Sequence, residues 1–268
     1  HGGTLDPLAT GILPIALGEA TKTVSYVMNG DKDYRFTVRW GEARDTDDAD
    51  GAVTETSPRR PTRSDINAVL ADFTGLITQV PPTYSAVKVG GKRAFALARA
   101  HQEVVIEPRT VRIDTLRLTQ VPDADHAVFE VRCGKGAYMR GLARDIALRL
   151  GTVGHIAALR RTAVGPFDET QAISLDYLES VGHSAPLSEH LLAVETALDG
   201  IPALVLNAAQ ADHLRHGRPV RVQGGGRSFV TVGDLDEGEV FCAMADGRPV
   251  ALARLEGDEI RPMRVLNL

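Results

Sequence analysis

The chain has 268 residues, 43% of them apolar, and a formal net charge of −5 at pH 7. No apolar run approaches the length of a membrane span and no secretory signal pattern occurs, so a membrane or secreted protein is not expected. The two cysteines, Cys133 and Cys242, form neither a disulfide framework nor a metal-ligand spacing, and a reduced, cytoplasmic setting is the expectation.

The chain opens on His1-Gly2-Gly3-Thr4-Leu5-Asp6-Pro7-Leu8-Ala9-Thr10-Gly11. One carboxylate, Asp6, sits among glycines that permit tight turns and a close approach of ligand. Pro7 biases Asp6 away from helical backbone. Two readings stand at this point. Asp6 can be a helix N-cap with Pro7 at the first helical position, or a catalytic acid on a stiff loop. Pro14 and Gly18 oppose a long helix, and Ile12 to Leu17 reads as a short buried strand.

Ala20 to Met28 is weakly helical and closes at Asn29-Gly30. Asp33 to Trp40 alternates, with Tyr34, Phe36, Val38 and Trp40 on one face, and predicts a half-buried strand. Arg44 to Gly51 is an acidic loop. Its clustered Asp45, Asp47, Asp48 and Asp50 suggest calcium, but the distal Glu of an EF-hand is absent, so no metal is expected. Ser64 to Phe73 predicts an amphipathic helix with Ile66, Val69, Leu70 and Phe73 inward.

Val80 to Arg99 reads as a loop leading into a helix. Val111 to Leu118 predicts a strand whose apolar parity switches between Ile113 and Leu116, the mark of a bulge. Phe129, Val131 and Cys133 alternate on the next strand. A helix from Tyr138 carries Met139, Leu142, Ile146 and Leu150 on one face and ends at Gly151. Asp176 to Gly200 is a connecting stretch. After Ile201, a helix over Ala208 to His216 is followed by strand-like runs near Val220, Phe229-Val230, Val240-Phe241 and Val250.

Charge is distributed unevenly along this order. Residues 81–161 carry 14 Lys and Arg against 7 Asp and Glu, while both flanks are acidic. Phosphate-binding surfaces are local, so this middle third is a candidate RNA footprint, although a solvated basic face would give the same count. Arg140 is also out of place electrostatically. A cation in the first turn of a helix is mildly disfavoured by the helix dipole, so either a carboxylate, an RNA phosphate or both lie beside it, or it is an exposed arginine whose long side chain bends away.

Five segments resemble, in order, the TruB family of tRNA pseudouridine synthases. They are His1 to Lys22, the Asp33-Tyr34 strand, Pro81 to Lys88 with Lys92, Arg93 and Arg99, Lys135 to Gly141, and Leu159-Arg160-Arg161. The resemblance implies that Asp6 is the catalytic aspartate and that His1 fills the space left by a flipped base. It implies that Tyr34 stacks on the uracil, that Leu159 lines its pocket, and that Tyr138 and Arg140 belong to the substrate site. Arg140 would pair with Asp6, supported by Asp48. Lys88, Lys92, Arg93, Arg160 and Arg161 would meet RNA phosphate.

The fold class implied is α+β, a pseudouridine synthase fold with a mixed, mostly antiparallel sheet flanked by helices and a small β-rich PUA-like C-terminal domain. The expected divisions are a catalytic domain at 1–175, a connecting segment at 176–200 and the PUA-like domain at 201–268. In the family an earlier strand and helix with a Lys-Pro-x-Gly segment precede His1, and the expectation is that this part is missing here. The implied reaction is isomerisation of a T-loop uridine by a monomer acting on the T-arm of tRNA. An isomerisation needs no redox cofactor or energy source, and no cofactor is expected. A glycoside hydrolase would need a second carboxylate flanking the bond, and none is evident as a partner for Asp6. Two other readings remain: a non-catalytic tRNA-binding or RNA-folding module on the same fold, and a guide-RNA-dependent synthase.

Overall fold

The computed structural model describes residues 1–100, 102–182, 187–221 and 236–268. The expected strand at Phe229-Val230 lies outside them. In chain order the first elements are β1 (Thr10–Gly11), α1 (Val24–Asn29), β2 (Lys32–Trp40), β3 (Glu42–Arg44), β4 (Val53–Thr56), α2 (Arg63–Val69) and β5 (Gly75–Gln79). Next come β6 (Lys88–Val89), β7 (Lys92–Arg93), α3 (Ala94–Arg99), β8 (Arg109–Gln120), β9 (His126–Cys133), α4 (Met139–Arg149), β10 (Gly154–Val164) and β11 (Phe167–Asp168). The remainder is α5 (Leu175–Val181), β12 (Ala203–Val205), α6 (Ala208–Arg215), β13 (Val220–Arg221), β14 (Val240–Ala245), β15 (Arg248–Glu256) and β16 (Glu259–Val265).

The chain divides into two compact units, one of residues 3–14 and 28–172, the other of residues 1–2, 15–27 and 173–268. The larger unit is built on a sheet of order β1-β10-β2-β9-β8-β5, with β11 also on β10. Only the β1–β10 pair is parallel; the others are antiparallel. The alternation over residues 33–40 appears as expected, with Phe36, Val38 and Trp40 buried. Phe36 stands opposite Phe129 and stacks on it at 5.2 Å between ring centres, and Trp40 meets the same ring edge-on at 6.4 Å. Both arrangements suit the quadrupoles of aromatic rings.

Helix α4 lays Met139, Leu142, Ala143 and Ile146 into the same core, with Ile66, Val69 and Leu70 from α2 and the 3-10 turn after it. Thr62 and Asp65 cap α2 reciprocally, which fixes where it starts. Gly151, at φ +70°, ends α4. The parity switch in β8 is a register shift between Ile113 and Thr115.

The expected strand over Ile12 to Leu17 does not form. Pairing stops at Ile12, whose N–H donates to Arg161 O at 2.8 Å. Pro14 then removes a donor, and Leu13, Ile15 and Leu17 are exposed. The 80–99 segment contains a hairpin, β6–β7, that the sequence reading passed over. Strand β5 was also missed, because Leu76 is exposed and only Gln79 is buried, so no apolar alternation marks it.

The second unit holds a sheet of order β12-β14-β15-β16-β13 with α6 supplying Ala211 and Leu214 to its core. Strand β16 escaped notice because it contains Pro262, and proline normally demotes a strand. Here Pro262 sits opposite Ala253, beside a register shift in β15. Residues 15–27 belong to this unit through specific bonds. Lys22 Nζ donates to Val265 O at 2.8 Å, Asn267 N–H donates to Glu19 Oε2 at 2.7 Å, and Tyr26 packs beside Cys242, Leu252 and Leu266.

Candidate active site

Asp6 is not a helix cap. Its carbonyl accepts from Ala9 N–H at 2.9 Å, closing a tight turn in which Pro7 takes the position that favours its fixed φ. The turn leaves the carboxylate 29% exposed, in the larger unit. The next strand is pinned just beyond it. Gly11, at φ +100°, lies so close to β10 that a Cβ there would meet Arg161 O at 2.1 Å, so only glycine lets β1 pair at this point.

Arg140 comes to Asp6 from the first turn of α4. Its Nε donates to Asp6 Oδ2 at 2.9 Å and its Nη2 to Asp6 Oδ1 at 2.7 Å. This is the two-pronged match of guanidinium to carboxylate that fixes orientation as well as distance. Two further N–H groups bind backbone, Nη1 on Thr46 O and Nη2 on Tyr84 O, each at 3.0 Å. The Asp48 carboxylate lies 3.7 Å from Nε, with both side chains 5% exposed. The misplaced cation of the sequence therefore faces two carboxylates and two carbonyls, which outweigh the helix dipole.

Asp48 is held in turn by Thr46 Oγ1 at 2.6 Å and Asp50 N–H at 3.1 Å. The acidic loop is thus an arginine cradle. No group of three or more His, Cys, Asp or Glu side chains suited to a metal occurs among the described residues.

Tyr34 and Leu159 stand on neighbouring strands. Leu159 is buried opposite Phe36, and Tyr34 is half-buried against the same core. Burial pushes the Tyr34 phenol up, and the Arg161 guanidinium opposes that shift by charge and by a hydrogen bond. Tyr138 is the N-cap residue of α4, half-buried and packed beside Val87, Ala94 and Ile106. His1 is exposed and groups with the other unit.

Lys88 and Lys92 are exposed on the β6–β7 hairpin, and Arg93 there donates to Ala86 O at 2.5 Å. Arg160 points outward to Glu169 at 2.5 Å and Thr10 Oγ1 at 3.3 Å. Arg161 differs from the expectation of a phosphate-facing side chain. It is 1% exposed, and its donors go to backbone carbonyls of the opening loop. In a strand, residues two apart share a face, so Arg161 follows Leu159 inward.

Two supporting residues were not found from sequence. The Gln79 side chain accepts from Tyr138 N–H at 2.8 Å and donates to Tyr138 O at 3.0 Å, clasping the start of α4. A Cβ on Gly141 would sit 3.2 Å from that amide, so the glycine makes room for it. Arg144, one turn after Arg140, donates to Asp47 Oδ2 and to Val80 O, each at 2.8 Å. Burial pushes the Asp47 carboxyl up, with Arg144 opposing. The available signal was helical spacing, which puts residues 140 and 144 on one face.

Solved structures place this architecture. The chain aligns with a chain of a Cbf5-Nop10-Gar1 complex at a TM-score of 0.75 and 24% identity, covering 99% of this chain and 75% of that one. A chain of an H/ACA RNP bound to a substrate RNA containing 2′-deoxyuridine aligns at 0.73 and 21%, covering 100% and 76%. These likenesses show a shared fold. Family models narrow it further: TruB family pseudouridylate synthase (N terminal domain) matches residues 1–139, and tRNA pseudouridylate synthase B C-terminal domain matches residues 140–199. The tRNA pseudouridine synthase B of Rhodospirillum rubrum is 55% identical over all of this chain and 87% of its own length. That of Bradyrhizobium diazoefficiens is 54% identical, over 100% of this chain and 77% of its own. The chain belongs to the TruB family of pseudouridylate synthases.

Proposed function

We propose that this chain converts a uridine of the tRNA T-loop to pseudouridine, with Asp6 as its single catalytic carboxylate. Isomerisation of a tRNA uridine follows from family membership and from relatives named tRNA pseudouridine synthase B. The T-loop and the role of Asp6 are our reading. The observation that carries it is the two-pronged Arg140–Asp6 pair: a buried guanidinium aims a partly open carboxylate.

The reaction breaks the N1–C1′ bond of uridine, turns the uracil and joins C5 to C1′. A carboxylate at the sugar can attack C1′ or take the 2′ proton, and either role needs its oxygens held in a fixed direction. Arg140 supplies that direction. Tyr34 and Leu159 would hold the base, the ring stacking and the leucine excluding water, with Tyr138 bordering the site. A uracil in a folded loop must first be extruded at a cost of a few kcal/mol, which stacking and phosphate contacts from Lys88, Lys92, Arg93 and Arg160 would offset. Residues 201–268 would act as a PUA-like RNA-binding domain and residues 1–175 as the catalytic domain, in a cytoplasmic monomer. The reading as a non-catalytic binding module is not favoured, since the curated relatives are named as synthases.

The test is Asp6→Asn. Asparagine keeps the size of the side chain and removes the charge. Unmodified tRNA is incubated with each protein, and pseudouridine is mapped by carbodiimide treatment and primer extension. The expected result is a T-loop stop with the parent and none with the variant, while tRNA binding persists. A T-loop stop of parental strength from Asp6→Asn, or a stop elsewhere only, overturns the reading.

A further inference from the structure

We propose that Arg161 is a positioning residue, whose buried guanidinium clamps the backbone on both sides of the Asp6 turn. This deepens the reading of Asp6 as the catalytic carboxylate and rests on it. The side chain reaches back across the sheet to three carbonyls. Nη2 donates to Gly3 O at 3.0 Å and Nη1 to Thr4 O at 3.4 Å, both ahead of Asp6. Nε donates to Ile12 O at 2.8 Å, beyond it. The backbone of Arg161 adds a fourth tie, accepting from Ile12 N–H at 2.8 Å. Residue 161 thus holds Ile12 by both of its backbone polar groups and spans the loop from Gly3 to Ile12.

Its place in the sheet explains why one residue can do this. β10 lies between β1 and β2, so Arg161 pairs with Gly11 on one side and with Tyr34 on the other. Directly opposed residues of adjacent antiparallel strands point to the same face. The guanidinium therefore lies on the Tyr34 face, where its charge opposes the rise that burial imposes on the phenol. The turn that carries the acid and the ring assigned to the base are referenced to one side chain.

Arg161 is costly to keep, which argues against an incidental role. It is 1% exposed, and among the described residues no carboxylate lies within ion-pair distance of it. A buried charge is normally paired. Here its compensation comes from the carbonyl dipoles of Gly3, Thr4 and Ile12. An apolar side chain of similar length would fill the space and leave those carbonyls without donors.

The experiment compares the parent chain with Arg161→Gln and Arg161→Lys. Three quantities are read: amide hydrogen exchange at Ala9 and Ile12, the single-turnover rate of pseudouridine formation, and tRNA affinity. In Arg161→Gln, exchange at these two amides should rise by about tenfold or more relative to amides of the β8–β9 ladder, as for a locally loosened segment. The single-turnover rate should fall by about a hundredfold, the scale expected of a small misplacement of a catalytic group. Affinity for tRNA should be unchanged. Arg161→Lys, with its charge kept but no planar fork, should lie between the other two.

Unchanged exchange at Ala9 and Ile12 in either folded variant overturns the proposal. So does a fall in rate that merely tracks a uniform rise in exchange across the sheet, because that is general destabilisation. If Arg161→Gln does not fold, Arg161→Lys decides by the same two amides. The exchange readout also separates this proposal from the reading of Asp6. If Asp6→Asn remains active, that reading fails, while loop exchange still reports whether Arg161 holds the turn.

Discussion

Replacing Arg140 tests the central pair, and two substitutions separate its parts. Its guanidinium makes four hydrogen bonds, two to Asp6 and one each to Thr46 O and Tyr84 O. Arg140→Gln removes the charge and leaves Asp48, 5% exposed, with only Thr46 Oγ1 and Asp50 N–H. Breaking a buried pair from one side costs about 3–5 kcal/mol. Asp6 keeps contact with solvent, so the lower end, about 3 kcal/mol, is expected. That corresponds to a loss of about 6–12 °C in melting temperature. Arg140→Lys keeps the charge but can neither fork across Asp6 nor serve all four acceptors. It should lose about two of the four bonds, about 1–3 kcal/mol, and about ten- to a hundredfold in single-turnover rate. Trp40, the chain's only tryptophan, is buried in the larger unit, so its fluorescence follows that unit's unfolding alone. The expected pattern is a large loss of both properties in Arg140→Gln, and in Arg140→Lys a lost rate with a smaller loss of stability. A parental rate in Arg140→Lys would refute the claim that two-pronged geometry matters. An unchanged Trp40 transition in Arg140→Gln would refute the energetic argument.

Gln79→Glu should destabilise the start of α4 by about 1 kcal/mol, since a carboxylate can accept from Tyr138 N–H but cannot donate to Tyr138 O, which then keeps only its bond from Leu142 N–H. Urea unfolding followed at Trp40 measures it, and a stability equal to the parent's would show that the clasp is dispensable. His155 is buried, its Nδ1 lies 2.8 Å from Glu42 O, and burial lowers its pKa. The unfolded chain therefore binds a proton more readily below about pH 6.5 than the folded one does. Its stabilising contribution is present above that pH and is lost as pH falls toward the folded value. The urea midpoint should drop on acidification through this window, and drop less in His155→Asn; equal drops in the two proteins would remove His155 as the cause.

The sequence disclosed what has a local or periodic signature. Alternation marked β2 and β9, the parity break marked the bulge in β8, and the 3-to-4 spacing marked the buried face of α4. Arg140 was conspicuous because a helix N-terminus is the wrong place for a cation. What stayed hidden depends on partners far away in sequence. Gln79 looks like any polar residue at the end of a weak strand, and its clasp on Tyr138 exists only once β5 and α4 are placed. Strands β5 and β16 lack the usual pattern, one through an exposed face and the other through an internal proline. Arg161 was legible in part. Period-two alternation from Leu159 already points it inward, but arginine's preference for phosphate and for solvent is the stronger prior, and burial overturned it.

The two arginines divide the work of presenting one acid. Arg140 acts on the carboxylate itself and is balanced by the charges of Asp6 and Asp48. Arg161 acts on peptide carbonyls before and after the turn. Leu8 and Ala9 pack against the core and Ile12 is buried, but such contacts do not set the direction of a carboxylate or of a peptide carbonyl. Charge-assisted hydrogen bonds give direction where apolar contact gives only proximity. The arrangement also constrains where such a loop can sit. It must border a strand that contributes an inward arginine and face the first turn of a helix that contributes another, which here are β10 and α4. These two elements follow one another in the chain and pack together, so a single local unit, residues 139–164, carries both supports for a carboxylate more than 130 positions earlier.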